Sequence, residues 1–432
     1  MATPSNRRAW LGWCLYDWAN SAFATVVLAA VLPVYFANLV PPGGARVPLP
    51  WGTRVMPASA LWGYAVSLSA LVVALAAPSL GALADRRGVR RHLLITFCLL
   101  GSVATLLLTF TGSGDYLLVA ALFVIANIGF AAGNIFYNAF LPTLASGPDL
   151  DRLSARGYAL GYIGGGLVLL MVFLLVRFSV PLGFSSPAAA TRAGFLLTGV
   201  WWAGFALPTF AWVREERSVR HGIPAVGSPR SYLKIFAEVL RYRDLALFLL
   251  AFVFYNDGIQ TVIAVSAIFG REELGLSQTT ILGTFLMIQF VAMPGSLVFG
   301  HLASRWGAKR SVMLSLLLFL GVTVYAFRMQ QGWEFWVLGL VVALILGGSQ
   351  AISRSLFAAL IPPGKSAEFF GFYAISGKFA AIFGPLVFAT IADFTGSTRL
   401  GILALCAFFL LGLLLLAGVD MQRGRQRAAT GP

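Results

Sequence analysis

The chain has 432 residues, of which 59% are hydrophobic and only 11% charged, and its mean hydropathy is +0.83. That composition excludes an ordinary soluble domain, and apolar stretches of about 20 residues read as membrane spans. A net charge of +15 would suggest a nucleic-acid ligand in a soluble protein, but here its placement along the chain excludes one.

Twelve spans are expected, beginning near Trp10, Ala58, His92, Asp115, Arg152, Thr191, Asp244, Ser277, Lys309, Trp333, Glu368 and Thr398. The chain thus reads as an all-α membrane protein. Span 1 is expected to be retained, because its apolar run is too long for a cleaved leader and contains Asp17. Asp17, Asn20 and Ser21 share one helix face at i, i+3, i+4. The segment Pro41–Pro57, rich in Pro and Gly without periodicity, reads as an irregular loop. Span 2 ends in GALADRRGVRR (Gly81–Arg91), and span 4 carries a stripe of Asn127, Asn134 and Asn138. Span 5 holds Tyr158 and Tyr162 beside Gly161, Gly164, Gly165 and Gly166, small residues that let helices approach. Between the sixth and seventh spans, Tyr232, Ile235, Phe236, Val239 and Leu240 follow helical spacing and predict a short amphipathic helix on the membrane surface. Span 7 pairs Asn256 with Gln260 and Asp257 with Thr261 at i, i+4, and span 10 does the same with Gln350 and Arg354. Span 11 carries Lys378 among Gly371, Gly377 and Gly384.

Four of these residues are charges within apolar runs: Asp17, Asp257, Arg354 and Lys378. An ionised group in hydrocarbon costs several kcal/mol, so such residues usually face a bundle interior or a watery cavity and mark a pathway. Two acids and two bases suggest pairing. Judged by the rise of a helix, Asp257 and Lys378 lie near the midplane, and Asp17 and Arg354 nearer the inner side. Asp257–Lys378 is therefore the first expected pair and Asp17–Arg354 the second, with static bridges that fix helix packing as the alternative role. Asp17, whose partner is less well assigned, is the better candidate for a protonation that changes during a cycle.

If both termini are cytoplasmic, 22 of the 31 basic residues fall on the inner side and 7 on the outer, with Arg354 and Lys378 inside the membrane. This positive-inside bias sets the expected orientation, and it accounts for the basic excess by topology and lipid attraction alone. Cys14, Cys98 and Cys406 sit in apolar runs without CxxC spacing, which argues against disulfides or zinc. No phosphate-binding Walker loop, HExxH or GxSxG is present, so an enzyme is not expected, nor a metal or other cofactor. Any uphill transport must then draw on an ion gradient or on exchange.

The chain repeats itself. Gly81–Arg91 recurs as GHLASRWGAKR (Gly300–Arg310), and NAFLPTLA (Asn138–Ala145) recurs at nearly the same offset as AALIPPGK (Ala358–Lys365). YDWANS at Tyr16 has a looser counterpart in YNDGIQT at Tyr255. Two six-helix halves follow, residues 1–213 and 244–432, joined by a linker at 214–243.

Gly81, Asp85, Arg86, Gly88, Arg90 and Arg91 resemble the loop motif of the major facilitator superfamily, and twelve spans in two halves fit that fold. The resemblance implies a conformational lock, with Asp85 facing the N-terminus of span 11, where the helix dipole favours an anion. The second copy has Ser304 in place of the acid, so its lock should be weaker. A merely well-anchored basic loop is the alternative. The blocks Tyr16–Val27, Phe254–Ile263, Gly347–Pro362 and Glu368–Pro385 are similar to the autophagy-linked vacuolar amino-acid effluxers and their bacterial relatives. The resemblance implies membrane transport, with amino-acid efflux for the fungal branch. The superfamily resemblance also implies that spans 1, 4, 7 and 10 line the cavity, where the polar faces fall.

The expected function is a secondary transporter for a small polar solute, with Asp17, Asn20, Asn127, Asn134, Asn138, Asn256, Asp257, Gln260, Gln350, Arg354 and Lys378 along the pathway. A zwitterion such as an amino acid suits paired acids and bases, and a proton is the expected coupling ion. A monomer in a bacterial inner membrane, surrounded by lipid, is expected. A non-transporting scaffold or sensor and a lipid translocase are the competing readings. The first would want a sizeable partner domain and the second an apolar lateral groove.

Overall fold

The computed structural model describes residues 4–50, 52–215, 237–379, 383–395 and 397–431, with a few side chains within these segments, Lys378 among them, left undescribed. Ten described helices are long and apolar enough to cross a membrane, and the bent first span makes an eleventh. The region expected to form span 11 consists of two shorter helices, Ser366–Phe379 and Phe383–Thr395. The fold is that of an α-helical multi-pass membrane protein.

Span 1 begins as an α-helix, Pro4–Ala22, and widens into a π-helical stretch, Phe23–Ala30. Its terminal bond runs from the Val31 amide to the Val26 carbonyl at 2.8 Å, five residues back. The chain then turns by 41° into Leu32–Leu39. Pro33 in the first turn of that helix has no N–H to continue the ladder, which accounts for the break. The Thr25 hydroxyl reaches the Ser21 carbonyl (3.0 Å) and the Gly165 carbonyl (3.1 Å), so the widened turn is tied to the Pro148–Arg177 helix.

The segment expected to be an irregular loop is instead a two-stranded antiparallel hairpin, Ala45–Leu49 with Gly52–Met56. The prolines hid it: Pro48 is tolerated in a strand that has a free edge. Gly52 supplies the left-handed backbone at the turn, with φ +130°. The Tyr116 hydroxyl accepts from the Arg46 amide at 3.0 Å and fastens the hairpin.

The remaining spans are the helices Ala58–Arg87, Arg90–Leu107, Tyr116–Ala139, Pro148–Arg177, Pro187–Trp212, Arg243–Glu272, Gln278–Trp306, Ala308–Arg328, Gly332–Ala358 and the pair Thr398–Ala404 and Cys406–Ala417. Of the five apolar residues expected to form the linker helix over 232–240, Val239 and Leu240 fall among the described residues, within a helical stretch at 237–241.

The described residues pack into two compact units that do not follow chain order. The first comprises Met1–Ala76, Val89–Tyr137 and Ile163–Glu216, and the second Ala77–Gly88, Asn138–Tyr162 and Arg217–Pro432. The second unit therefore joins one end of spans 2, 4 and 5 to spans 7–12.

Glycine sets the helix spacing within each unit. In the second, a Cβ on Gly347 would stand 2.3 Å from the Ala292 carbonyl, and one on Gly295 2.3 Å from the Leu344 carbonyl. In the first, Gly164 lies against Trp18 and Gly165 against Thr25 and Ser21, as packing of span 5 on span 1 requires.

Candidate functional site

In the second unit, residues 350–355 of the Gly332–Ala358 helix meet residues 151–162 of the Pro148–Arg177 helix through polar contacts. Arg354 is 2% exposed. Its Nε donates to Ser154 Oγ (2.9 Å), one Nη to the Ser154 carbonyl (2.8 Å) and the other to Asn138 Oδ1 (3.3 Å). The guanidinium carbon lies 4.3 Å from the centre of the Tyr158 ring, within the range of a cation–π contact. Ser154 Oγ donates onward to the Ala351 carbonyl at 2.6 Å. One turn away, Ser355 Oγ donates to Asp151 Oδ1 at 2.5 Å, and Tyr162 donates to Gln350 Oε1 at 2.7 Å. Arginine suits this place because its planar fork can grip two atoms of one residue and stack on a ring at once.

Asp151 and Ser154 did not stand out in the sequence. Asp151 sits in the first turn of its helix, where an acid is ordinary, and Ser154 one turn further on is a common small residue. Tyr158 and Tyr162 were noted only as aromatics of the span. All four share a face with spacing 3, 4 and 4, and that periodicity was the available signal.

The acid of span 7 is 1% exposed. Asp257 Oδ2 accepts from the Gly384 amide at 2.9 Å, in the first turn of the Phe383–Thr395 helix. A carboxylate is favoured there by the amide dipoles. The expected pairing of Asp257 with Lys378 lies outside the described residues, since the Lys378 side chain is not among them. Asn256 on the same helix is buried and Gln260 half-buried. Tyr255 beside them is hydrogen-bonded to Ser353 Oγ at 2.7 Å.

The loop after span 2 also falls in this unit. Asp85 Oδ1 accepts from the Ala367 amide (3.1 Å) and Oδ2 from the Glu368 amide (2.9 Å). These amides belong to the first turn of the Ser366–Phe379 helix, so the carboxylate fills a helix N-terminus. Gly81 allows the approach: a Cβ there would stand 2.4 Å from the Ala367 carbonyl oxygen. Gly88 has φ +63°, which the turn requires of a glycine. Arg86 is half-buried. Lys365, just before the helix, is ion-paired with Glu238 of the linker.

The first unit holds the rest. Arg90 Nε bonds Glu215 at 3.1 Å, and the Glu215 carboxylate also accepts from the Arg90 and Arg91 amides. Arg91 Nε donates to the Phe210 carbonyl at 2.9 Å. These two bases therefore serve the ends of spans 3 and 6, not the N-terminus that Asp85 caps. Asn20 Nδ2 donates to Asn134 Oδ1 at 2.7 Å, and Asn127 Nδ2 to Ser69 Oγ at 2.7 Å. Asp17 is 8% exposed and belongs to this unit, whereas Arg354 belongs to the other.

Contacts can be compared across the two copies of the motif. Tyr16 lies against Gly133, whose Cβ would stand 2.7 Å from the Tyr16 hydroxyl. Tyr255 bonds Ser353, which stands where the repeat places the counterpart of Gly133. Arg91 holds the carbonyl of Phe210 at the end of span 6, and Lys309, which the offset aligns with Arg90 rather than Arg91, holds through Nζ those of Ala417 (2.7 Å) and Val419 (2.8 Å) at the end of span 12. Ser304, in the place of Asp85, only turns back to the His301 carbonyl.

Residues 5–429 match the family described as vacuole effluxer Atg22 like. An MFS-type transporter of Bacillus subtilis, YxiO, is 35% identical over 412 residues, covering 94% of each chain. Autophagy-related protein 22 of Coccidioides immitis is 26% identical, covering 98% of this chain and 88% of its own. Among solved structures, the human organic anion transporter MFSD10 superposes with a TM-score of 0.72 at 18% identity, over 96% of this chain and all of its own. The Escherichia coli fucose:proton symporter FucP gives 0.70 at 12%, over 96% of this chain and 98% of its own.

Proposed function

Since the chain belongs to the Atg22-like family of the major facilitator superfamily, and is thus a membrane transporter, we propose that it moves amino acids or related zwitterions by alternating access, outward and coupled to protons. One observation carries this reading. Arg354 and Asp257, of opposite charge, are both buried in the same unit, and the contacts of Arg354 include neutral groups that an anion can replace. A carboxylate that displaced Ser154 from the guanidinium would replace bonds to a neutral acceptor with a bidentate ion pair, which adds the attraction of the second charge. An ammonium group would find Asp257. Asp17, Asn20, Asn127, Asn134, Asn138, Asn256, Gln260, Gln350 and Lys378 complete the proposed pathway. The family description names efflux from a vacuole, and the fucose:proton symporter supports the coupling only as an example of the fold. We place the protein as a monomer in a bacterial inner membrane with both termini in the cytoplasm, on the positive-inside count.

In this scheme the contacts of Asp85 with the Ser366–Phe379 helix, and of Arg354 and Asp151 with their partners, hold the cytoplasmic end shut, and the cycle breaks them. The test is counterflow of labelled amino acids in proteoliposomes, with and without a pH gradient. Exchange of at least one amino acid is expected, and one pH unit should sustain about a tenfold gradient if one proton moves per solute. Arg354→Lys should cut exchange by roughly 10- to 100-fold, the loss of a charged hydrogen-bond pair at about 1.5–3 kcal/mol. No exchange across the whole amino-acid set would remove the substrate class.

A further inference from the structure

Asp257 Oδ2 is satisfied by Gly384, but Oδ1 meets no hydrogen-bond donor among the described residues. A buried oxygen left in this way bears the cost of its lost water, and more when it carries charge. The space beside it is defined by Gly384. A Cβ on that glycine would stand 2.8 Å from Asp257 Oδ1 and 2.0 Å from Thr261 Oγ1. The two oxygens thus converge on one point in a gap narrower than a methyl group. The Thr261 hydroxyl donates to the Asp257 carbonyl at 2.7 Å. While it holds that bond it turns lone pairs toward Oδ1. Two sets of lone pairs therefore face one small space, and a hydrogen is what fits between them. A metal cation would need several oxygen ligands at about 2.3 Å or more and room to arrange them.

We propose that Asp257 is the proton-binding site of the transport cycle, with the proton carried on Oδ1 and shared with Thr261 Oγ1. The inference rests on the proton-coupled reading given above and shifts the expected titrating group from Asp17 to Asp257. The step is an O–H bond formed at Oδ1 from a proton of the solvent on one side of the membrane and broken to solvent on the other. No other bond changes. The carboxyl group also caps the Phe383–Thr395 helix. Ionisation strengthens that cap and protonation weakens it, so loading the proton loosens the half-helix that carries Gly384.

The charged and titratable groups around it are few. On its own helix, which opens with Arg243, Asp244 is paired with Arg423 (2.6 Å) and Tyr255 with Ser353, and Glu273 just past its end is paired with Arg399 (2.8 Å). The Ser366–Phe379 helix brings Glu368, Tyr373 and Lys378, the Gly332–Ala358 helix brings Glu334 and Arg354, and the Phe383–Thr395 helix brings Asp393. The Cys406–Ala417 helix brings no charge, and its Cys406 is a free thiol.

Infrared titration of the full chain in nanodiscs tests the site without any substrate. A protonated-carboxyl band that appears on acidification should be lost in Asp257→Asn, be shifted in Asp257→Glu and persist in Asp17→Asn. A band untouched by Asp257→Asn, or lost in Asp17→Asn, overturns the assignment. In proteoliposomes Asp257→Asn should lose accumulation driven by a pH gradient, and Asp257→Glu, which keeps a titratable carboxyl, should retain it. If Lys378→Gln loses accumulation as completely as Asp257→Asn, the pair and not the acid carries the coupling, and the proposal falls. A wild type that titrates at Asp257 but never accumulates solute would instead remove the coupled function while leaving the proton site in place.

Discussion

Asp85 uses both carboxylate oxygens, one on each of two consecutive amides at the start of the Ser366–Phe379 helix. Asparagine in its place would keep one acceptor and lose the charge. Charge at a helix N-terminus contributes about 0.3–2 kcal/mol, and a loss near 1 kcal/mol changes a two-state population roughly fivefold. Asp85→Asn should therefore raise the labelling rate of a single Ala351→Cys thiol, in a cysteine-free background, by about that factor from the side on which residues 81–91 lie. Ser304→Ala should leave the rate alone, because its hydroxyl bonds only its own helix. Equal rates in Asp85→Asn and the parent would show that the cap does not gate this end. The position of Asp85 could be reasoned from its motif and the helix dipole. The partners of Arg354 could not, because Ser154 and Asp151 reach its helix through the register of two spans far apart in the chain, which no local pattern records.

At the scale of elements, small residues decide how close helices come, and each such glycine makes a different demand. Gly347 has the Ala292 carbonyl and Ser296 Oγ at 2.3 Å from where a Cβ would stand, while Gly321 has nothing within 4 Å. Gly347→Ala must push backbone away and should destabilise the protein by about 1–3 kcal/mol. Gly321→Ala removes a helix-weakening residue from an open position and should be neutral or stabilising by up to about 1 kcal/mol. Thermal unfolding of the purified protein in detergent checks both, and a Gly347→Ala protein as stable as Gly321→Ala would mean the two helices can part. Most spans were legible because a long apolar run leaves little choice in a membrane. The hairpin at 45–56 was not, because two strands tied by Tyr116 depend on a residue beyond the next two spans. The bend after Ala30 was signalled by Pro33, but the π-helical turn before it has no comparable mark in the letters.

At the scale of the whole molecule the two copies of the loop motif are unequal. Gly300 sits against Ala155, as Gly81 sits against Ala367, and the offset that relates Gly81 to Gly300 carries Ala367 back onto Pro148. The equivalent helix thus opens with a proline that has no amide to offer, and its first turn already holds Asp149 and Asp151. The acid and its receptor have both gone from the second copy. Ser304→Asp should therefore fail to build a second cap. Labelling at Ala351→Cys should not slow, and the addition should not rescue Asp85→Asn. Slower labelling in either background would show that the second copy retains a receptor for an acid.

The division into packing units also bears on how the chain is made. Spans emerge from synthesis in order, so the ends of spans 2, 4 and 5 exist well before the helices that cover Gly81, Asp85 and Ser154 in the finished structure. Until then a carboxylate lacks its amides and a serine its guanidinium, and close-packing glycine faces lie bare. The nascent first half is thus left with unfinished surface at that end, which makes it dependent on lipid, on the insertion machinery or on speed. Completion of the last third of the chain closes this surface. Defects in the tenth and eleventh spans should then be felt as early misassembly and degradation of the whole chain, well before any solute is offered to it.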